Sequence, residues 1–112
     1  MVAFGPHTEG GNHNFLTELL DTFEFTAILS GHNHNLQWVP KHGGWKVPQI
    51  TVGSSAKLSP TTIDKTGGNG WSHDKSGGFG HLTITRTGAT FEFVDENGNS
   101  LKTVQLARRA SA

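Results

Sequence analysis

The stretch "ATFEFVDENGNSLKTVQL", residues 89–106, decides the fold of this chain. It consists of two alternating segments on either side of an Asn-Gly pair. Phe91 and Phe93 share one face of the first segment, because successive side chains of a strand point to opposite faces. The Asn-Gly pair is a strong hairpin signal, since both residues accept positive φ. "HLTITRT", residues 81–87, adds a third alternating segment. We therefore predict a three-stranded antiparallel meander at the end of the chain.

The chain upstream of the meander carries one helical pattern and several short apolar runs. Apolar residues at helical spacing predict an amphipathic helix over residues 15–23. Residues 25–30, 36–39 and 47–52 suit strands, and a Gly-Gly turn between the last two favours a hairpin. Residues 53–78, rich in Gly, Ser, Thr and Lys, are predicted to form a long loop. We expect an α+β fold in a single domain, with one amphipathic helix on a mostly antiparallel β-sheet.

Composition limits the classes of function. Of the 112 residues, 33% are hydrophobic and 15 are glycine, which suits short strands and turns better than long helices. Nine basic residues balance nine acidic ones, so neither a nucleic-acid partner nor a membrane partner is expected. No apolar segment approaches the ~20 residues that span a bilayer. The absence of cysteine excludes a disulfide framework and a thiolate metal site.

The most informative stretch for function is "ILSGHNHNLQW", residues 28–38, in which two histidines follow an apolar run. His32 and His34 are two residues apart, so in an extended segment both imidazoles point to the same side. Gly31 allows a sharp departure from the strand. Neutral imidazole is a common ligand for zinc, iron and manganese, and each histidine could hold one ion of a two-metal centre. The alternative is that both are polar residues in a surface loop.

The wider stretch "FTAILSGHNHNLQWV" resembles the last motif, G-H-x-H, of the calcineurin-like metallophosphoesterases, in the form used by purple acid phosphatases. The order of later segments is similar too: "ITVGSSAK" at residues 50–57, then a variable loop, "GGFGHLTIT" at residues 77–85, and a closing hairpin with a basic tail. The resemblance runs from about Phe15 to Arg109. It implies the C-terminal half of a four-layer α/β/β/α sandwich, and hydrolysis of phosphate esters at a dinuclear metal centre.

The resemblance also implies roles for individual histidines. His32 matches the ligand of one metal ion and His34 the ligand of the other, with the ions being iron, zinc or manganese, or the site being unoccupied. His7 is a candidate third ligand from an upstream G-H-x-P loop. Here the corresponding place reads Gly-Pro-His-Thr, residues 5–8, with the histidine displaced by one position. An ordinary loop histidine is the alternative for His7.

A second upstream segment, "GGNHN" at residues 10–14, resembles the family's G-N-H-D/E motif, in which asparagine ligates metal and histidine assists as an acid. Only 18 positions separate His13 from Gly31, too few for the strand–helix units that the family places between these motifs. We interpret Asn12 and His13 as loop and helix cap, with a catalytic His13 as the alternative.

The family's first motifs, D-x-H and G-D, have no counterpart here. They supply the aspartate that bridges both ions, and none of the nine acidic residues ends an apolar strand ahead of a Gly-rich turn. Without a bridging carboxylate, the charge of two neighbouring cations is not offset. The chain therefore resembles a C-terminal half that needs an N-terminal half as partner. The alternatives are a non-catalytic, self-assembling or partner-binding β-rich module, and a metal-binding protein that uses His32 and His34 across a symmetric interface.

Other residues carry weaker signals. His73, in the predicted long loop, is a candidate contact to a phosphate-ester substrate or to metal, with an ordinary loop histidine as the alternative. The three tryptophans are expected to pack in the core, because the chain is short of apolar residues. The N-terminus lacks the basic region and apolar core of a signal peptide. A secreted parent that had lost its signal would look the same, so the sequence indicates no compartment.

Overall fold

The structure, a computed structural model, describes residues 18–20, 22–31, 33–40, 47–60 and 70–107. These contain seven strands: β1 (Ile28–Ser30), β2 (Leu36–Val39), β3 (Gln49–Val52), β4 (Trp71–His73), β5 (Gly78–Ile84), β6 (Gly88–Asp95) and β7 (Ser100–Ala107). A short helix is described at residues 18–20 and 22, and the Phe23 amide donates to the Leu19 carbonyl at its end, at 2.9 Å. None of the described helical residues belongs to a segment with the length and hydropathy of a membrane-spanning helix.

The strands form two sheets. The first has the order β1-β3-β2-β4, with β1 parallel to β3 and the other pairs antiparallel. The second is the meander β5-β6-β7, antiparallel throughout. The predicted α+β class, the hairpin of β2 and β3 and the terminal meander are confirmed. Both sheets contribute apolar residues to one core. Two sheets that pack against each other bury such apolar faces between them.

The core consists of Leu36, Ile50, Phe91, Phe93, Val104 and Leu106, which come from both sheets. The ring centroid of Phe93 lies 4.8 Å from that of Trp71 and 4.9 Å from that of Phe91. Trp71 belongs to β4 of the first sheet and Phe93 to β6 of the second, so this aromatic cluster joins the two sheets. Offset or tilted ring pairs at such distances contribute beyond simple area burial. The predicted packing role of the tryptophans is confirmed for Trp38 and Trp71, which both pack against the core, whereas Trp45 lies outside the described residues.

The predicted loop over residues 53–78 is wrong in two places. β4 lies inside it, and Gly78 already belongs to β5. Trp71 stabilises β4, because its ring packs on Phe93 and its backbone lies opposite Trp38 of β2. Burial of a large ring stabilises a strand whose local sequence favours turns.

Two strands are shorter than predicted, and the helix is only partly described. The strand expected from residue 25 begins at Ile28, and the one expected from residue 47 begins at Gln49. Pro48 has no N–H to donate to the ladder, and its carbonyl accepts from the Ile28 amide at 2.9 Å. Pro48 therefore marks the start of β3. Of the predicted helix, residues 15–17 and 21 lie outside the described residues.

Candidate functional site

The candidate site is the turn that leads from β1 to β2. The Asn33 amide donates to the Gly31 carbonyl at 3.0 Å, and the Asn35 amide donates to the Asn33 carbonyl at 2.8 Å. Hydrogen bonds between residues i and i+2 are typical of γ-turns, which are common at strand ends. The predicted departure of the chain directly after Gly31 runs through residue 32, which lies outside the described residues.

His34 is half-buried, and a second segment holds its backbone from both sides. The His34 amide donates to the Ser59 hydroxyl at 3.1 Å, and the Ser59 amide donates to the His34 carbonyl at 2.8 Å. Ser59 belongs to residues 53–60, which follow β3. The turn is therefore fixed by contacts that are distant in the sequence as well as by its own local bonds.

Asn35, next to His34, is completely buried and connects three parts of the site. Its side-chain amide donates to the carbonyls of Ser59 and Pro60, at 3.3 and 3.4 Å. Its side-chain oxygen accepts from Gln37 Nε2 at 2.6 Å, and its backbone carbonyl accepts from the Gly53 amide at 3.0 Å. Buried polar groups are costly unless they are hydrogen-bonded, so this arrangement strongly specifies the position of Asn35.

Sequence reasoning missed the supporting residues Asn35 and Ser59. Asn35 is completely buried, and its side chain both donates to Ser59 and accepts from Gln37. Ser59 was assigned only to the long loop. The one available signal was the Ser-Pro pair at residues 59 and 60, since a residue before proline is restricted to extended conformations.

The other two candidate ligands, His7 and His32, lie outside the described residues, as does the candidate catalytic residue His13. The pairing of His32 with His34 stays a prediction. The imidazole of His34 has donor chemistry that suits iron, zinc or manganese. Within the described ranges, however, no three His, Cys, Asp or Glu side chains form a group that could hold a metal ion. The described part of the chain thus supplies one suitable ligand but not a complete metal site.

His73 was predicted to lie in a loop, but it belongs to β4 and faces the turn between β4 and β5. Its Nε2 lies 2.8 Å from the Ser76 hydroxyl, and its ring stacks on Trp71 with centroids 6.4 Å apart. These contacts give His73 a local structural role. Its proposed contact with substrate stays a prediction.

An apolar groove of about 510 Å³ opens on another part of the molecule, between β1 and β5. It is lined by the apolar residues Leu29, Leu82, Ile84, Ala89 and Leu106, together with Arg86, Thr26 and Thr85. Leu29 is 55% exposed and Ile84 is 74% exposed. β1 is an edge strand, paired only with β3 among the described strands. The groove does not include the turn that carries His34.

Comparison with known proteins points in one direction. No protein-family model matches the sequence. The sequence is similar to tartrate-resistant acid phosphatase type 5 from mouse, with 34% identity over 101 residues, and from rabbit, with 32% identity over 104 residues. The human protein of the same name is 31% identical over 102 residues. These matches support a relation to the purple acid phosphatases.

The extent of these matches matters as much as their identity. They cover 84%, 87% and 85% of this chain but only 30%, 31% and 31% of the respective phosphatases. The chain thus spans about 30% of the length of the mouse relative. About 16% of this chain lies outside the match to the mouse protein. A segment of that length at either end of the chain would stop short of residues 31–34, so the matched region spans the G-H-N-H motif. The broader calcineurin-like assignment stays a prediction.

Proposed function

We propose that this chain supplies the C-terminal portion of a metal-dependent phosphoesterase that hydrolyses phosphate esters at a dinuclear centre. One observation carries the proposal. The G-H-N-H motif lies in the region similar to acid phosphatases, and the backbone of its second histidine, His34, is held by Ser59, to which the neighbouring Asn35 also donates. A turn that only crosses the surface would not need a completely buried asparagine beside its second histidine.

In this proposal His32 and His34 each ligate one ion, which is iron, zinc or manganese. When bound, such a pair of ions supplies an activated water and polarises the phosphoryl oxygens of the ester. His34 would contribute a neutral imidazole nitrogen from a fixed backbone. The remaining ligands, including a bridging carboxylate, would come from outside the described residues, with His7 as a candidate ligand within this chain and His13 as a candidate acid.

We further propose that turnover requires the polypeptide that corresponds to the rest of the relatives' length, in cis or in trans. The chain covers about 30% of the mouse phosphatase. The apolar groove and the open edge of β1 would receive that polypeptide, because exposed apolar surfaces and strand edges favour association. The substrate class, phosphate esters, is part of the same proposal.

The proposal is tested by metal content and phosphatase activity measured on the same samples. The purified chain is compared with His32→Ala/His34→Ala and with His81→Ala, whose side chain is exposed on β5. We expect metal in the wild type and in His81→Ala, loss of that metal in the double variant, and no hydrolysis of para-nitrophenyl phosphate by the chain alone. Equal, negligible metal in all three proteins would contradict the site.

A second candidate function is self-association as a non-catalytic β-rich module. The observation that favours it is the same groove, where Leu29 and Ile84 expose most of their apolar surface. Contiguous apolar surface of this kind usually marks an interaction site. A second copy of the chain could cover both the groove and the β1 edge.

Sedimentation equilibrium on the metal-free chain tests this second candidate. If copies associate through the groove, Ile84→Lys shifts the protein towards monomer by burying a charge in the interface. Phe79→Lys is the matched control, because Phe79 is similarly exposed on the same strand but does not line the groove. A wild type that stays monomeric at ~100 µM, a concentration far above the Kd of a stable dimer, would rule out this function.

A further inference from the structure

We propose that Ser59 is a positioning residue, which holds the backbone of His34 and thereby restrains the position of its imidazole. The inference rests on the proposed function, in which His34 is a metal ligand. It goes beyond that function by assigning a role to a residue 25 positions away in the sequence.

Ser59 and His34 are joined by two reciprocal hydrogen bonds. Ser59 accepts from the His34 amide through its hydroxyl at 3.1 Å and donates its own amide to the His34 carbonyl at 2.8 Å. Both backbone polar groups of His34 are therefore satisfied by one partner. Rotation of the peptide planes on either side of His34 would break one of these bonds, so the direction of its Cα–Cβ bond is restrained.

The segment that carries Ser59, residues 53–60, is itself attached to the turn. At its start, the Gly53 amide donates to the Asn35 carbonyl at 3.0 Å. At its end, the Ser59 and Pro60 carbonyls both accept from the Asn35 side-chain amide. Residues 53–60 are thus tied to the turn at both ends, and Ser59 is not a loosely held loop residue.

Ser59 is followed by a proline, which restricts its backbone. Pro60 disfavours the helical conformation for the residue before it, which leaves Ser59 in an extended conformation. This restriction reduces the conformational entropy that Ser59 loses when it binds His34. A metal ligand gains from such preorganised support. Partners that hydrogen-bond directly to a ligating side chain change metal affinity by roughly 10–100-fold when substituted, and a partner that holds the ligand's backbone should act at the lower end of that range.

A titration of the full chain with Co²⁺, followed by visible absorption, tests the inference. The variants are Ser59→Ala, which removes the hydroxyl, Ser59→Thr, which keeps it, and Ser55→Ala, an exposed control in the same segment. We expect about 10-fold weaker Co²⁺ binding in Ser59→Ala, near-wild-type binding in Ser59→Thr, and no change in Ser55→Ala. Amide hydrogen exchange at His34 should be faster in Ser59→Ala alone. If that variant fails to fold, Ser59→Cys replaces it, since a thiol keeps the shape but is a weak acceptor.

The outcomes separate this inference from the function on which it rests. Co²⁺ binding that is lost in His34→Ala but unchanged in Ser59→Ala, with faster exchange at His34, would overturn the positioning role and leave the metal site intact. Absence of Co²⁺ binding by the wild type would overturn the proposed function and this inference together. If Ser59→Thr bound Co²⁺ as weakly as Ser59→Ala, a role for the hydroxyl would also be contradicted.

Discussion

The ring of Phe91 lies over Gly80 of the neighbouring strand. A Cβ at residue 80 would stand only 2.8 Å from Phe91 Cε1 and 3.0 Å from Cε2, and it would also meet Cζ. Phe91 is 4% exposed and contacts Phe93, so its ring belongs to the shared core of the two sheets. The missing side chain at Gly80 therefore provides the space that this core aromatic occupies.

Gly80→Ala should destabilise the chain by about 1–3 kcal/mol, because the added methyl group displaces a buried ring. Thr83→Ala, at an exposed position of the same strand, is the control and should change the free energy of unfolding by less than about 1 kcal/mol. Urea denaturation measures both. In a Phe91→Leu background the cost of Gly80→Ala should shrink. An equal cost in both backgrounds would show that the ring is not the cause.

The meander could be predicted from the sequence because its signals are local. Alternation places Phe91 and Phe93 on one face, and Gly98 has the positive φ, +86°, that the Asn-Gly pair predicts. Both features depend on neighbouring residues only. The same local reasoning identified the turn after β1, where a glycine and two asparagines follow an apolar run.

The remaining features depend on contacts between distant residues. β4 forms because Trp71 packs on Phe93, 22 positions later, and no local pattern reveals this. The support of His34 by Ser59 likewise joins residues far apart in the sequence. The groove is another such feature: Leu82 and Ile84 of β5 line it together with Leu29 of β1, which is the last described strand at that end of the first sheet.

Phe93→Ala should cost about 3–5 kcal/mol of unfolding free energy, because it leaves a cavity where the two sheets meet. Phe93 has no exposed surface, and its ring lies within 5 Å of two other rings by centroid distance. Near-ultraviolet circular dichroism should also weaken as Trp71 loses its neighbour. Phe79→Ala, which removes a ring that is 52% exposed, serves as the control. Similar losses in the two variants would contradict the assigned core.

Asp95 organises the turn between β6 and β7, and this makes the turn sensitive to acid. Its Oδ1 accepts from the amides of Asn97 and Asn99, at 2.9 and 2.8 Å, and its Oδ2 accepts from the Asn99 side chain at 3.2 Å. These bonds, first among them the one from the Asn99 backbone, hold the pKa of Asp95 below its ordinary value, with a smaller contribution from His73. The carboxylate therefore stabilises the folded state above the unfolded pKa of about 3.9, and this contribution is lost as pH falls through the folded pKa.

Asp95→Asn should accordingly lower the thermal midpoint at pH 7. The difference from wild type should shrink as pH falls from the unfolded pKa of about 3.9 towards the lower folded pKa, where the carboxyl of the folded wild type becomes protonated. Thermal unfolding between pH 3 and pH 7 measures this difference. Glu24→Gln, which changes an exposed carboxyl away from the turn, should show no such convergence. A difference for Asp95→Asn that does not vary with pH would mean that the charge of Asp95 is not what stabilises the turn.

Asn35→Asp tests the buried support of the candidate site. Asn35 has no exposed surface and donates to two carbonyl oxygens, whereas a carboxylate cannot donate and would be repelled by both. We expect a loss of about 3 kcal/mol or more at pH 7. Burial raises the pKa of the introduced carboxyl above its unfolded value, so the loss should decrease as pH falls and the group becomes protonated.

Gln105→Glu is the matched control. The exposed Gln105 side chain accepts a hydrogen bond from Thr90, and a carboxylate can do the same. Urea denaturation at pH 5 and pH 7 distinguishes the outcomes: a loss in Asn35→Asp that is small, or equal at both pH values, would mean that the Asn35 amide does not hold residues 53–60 against the turn.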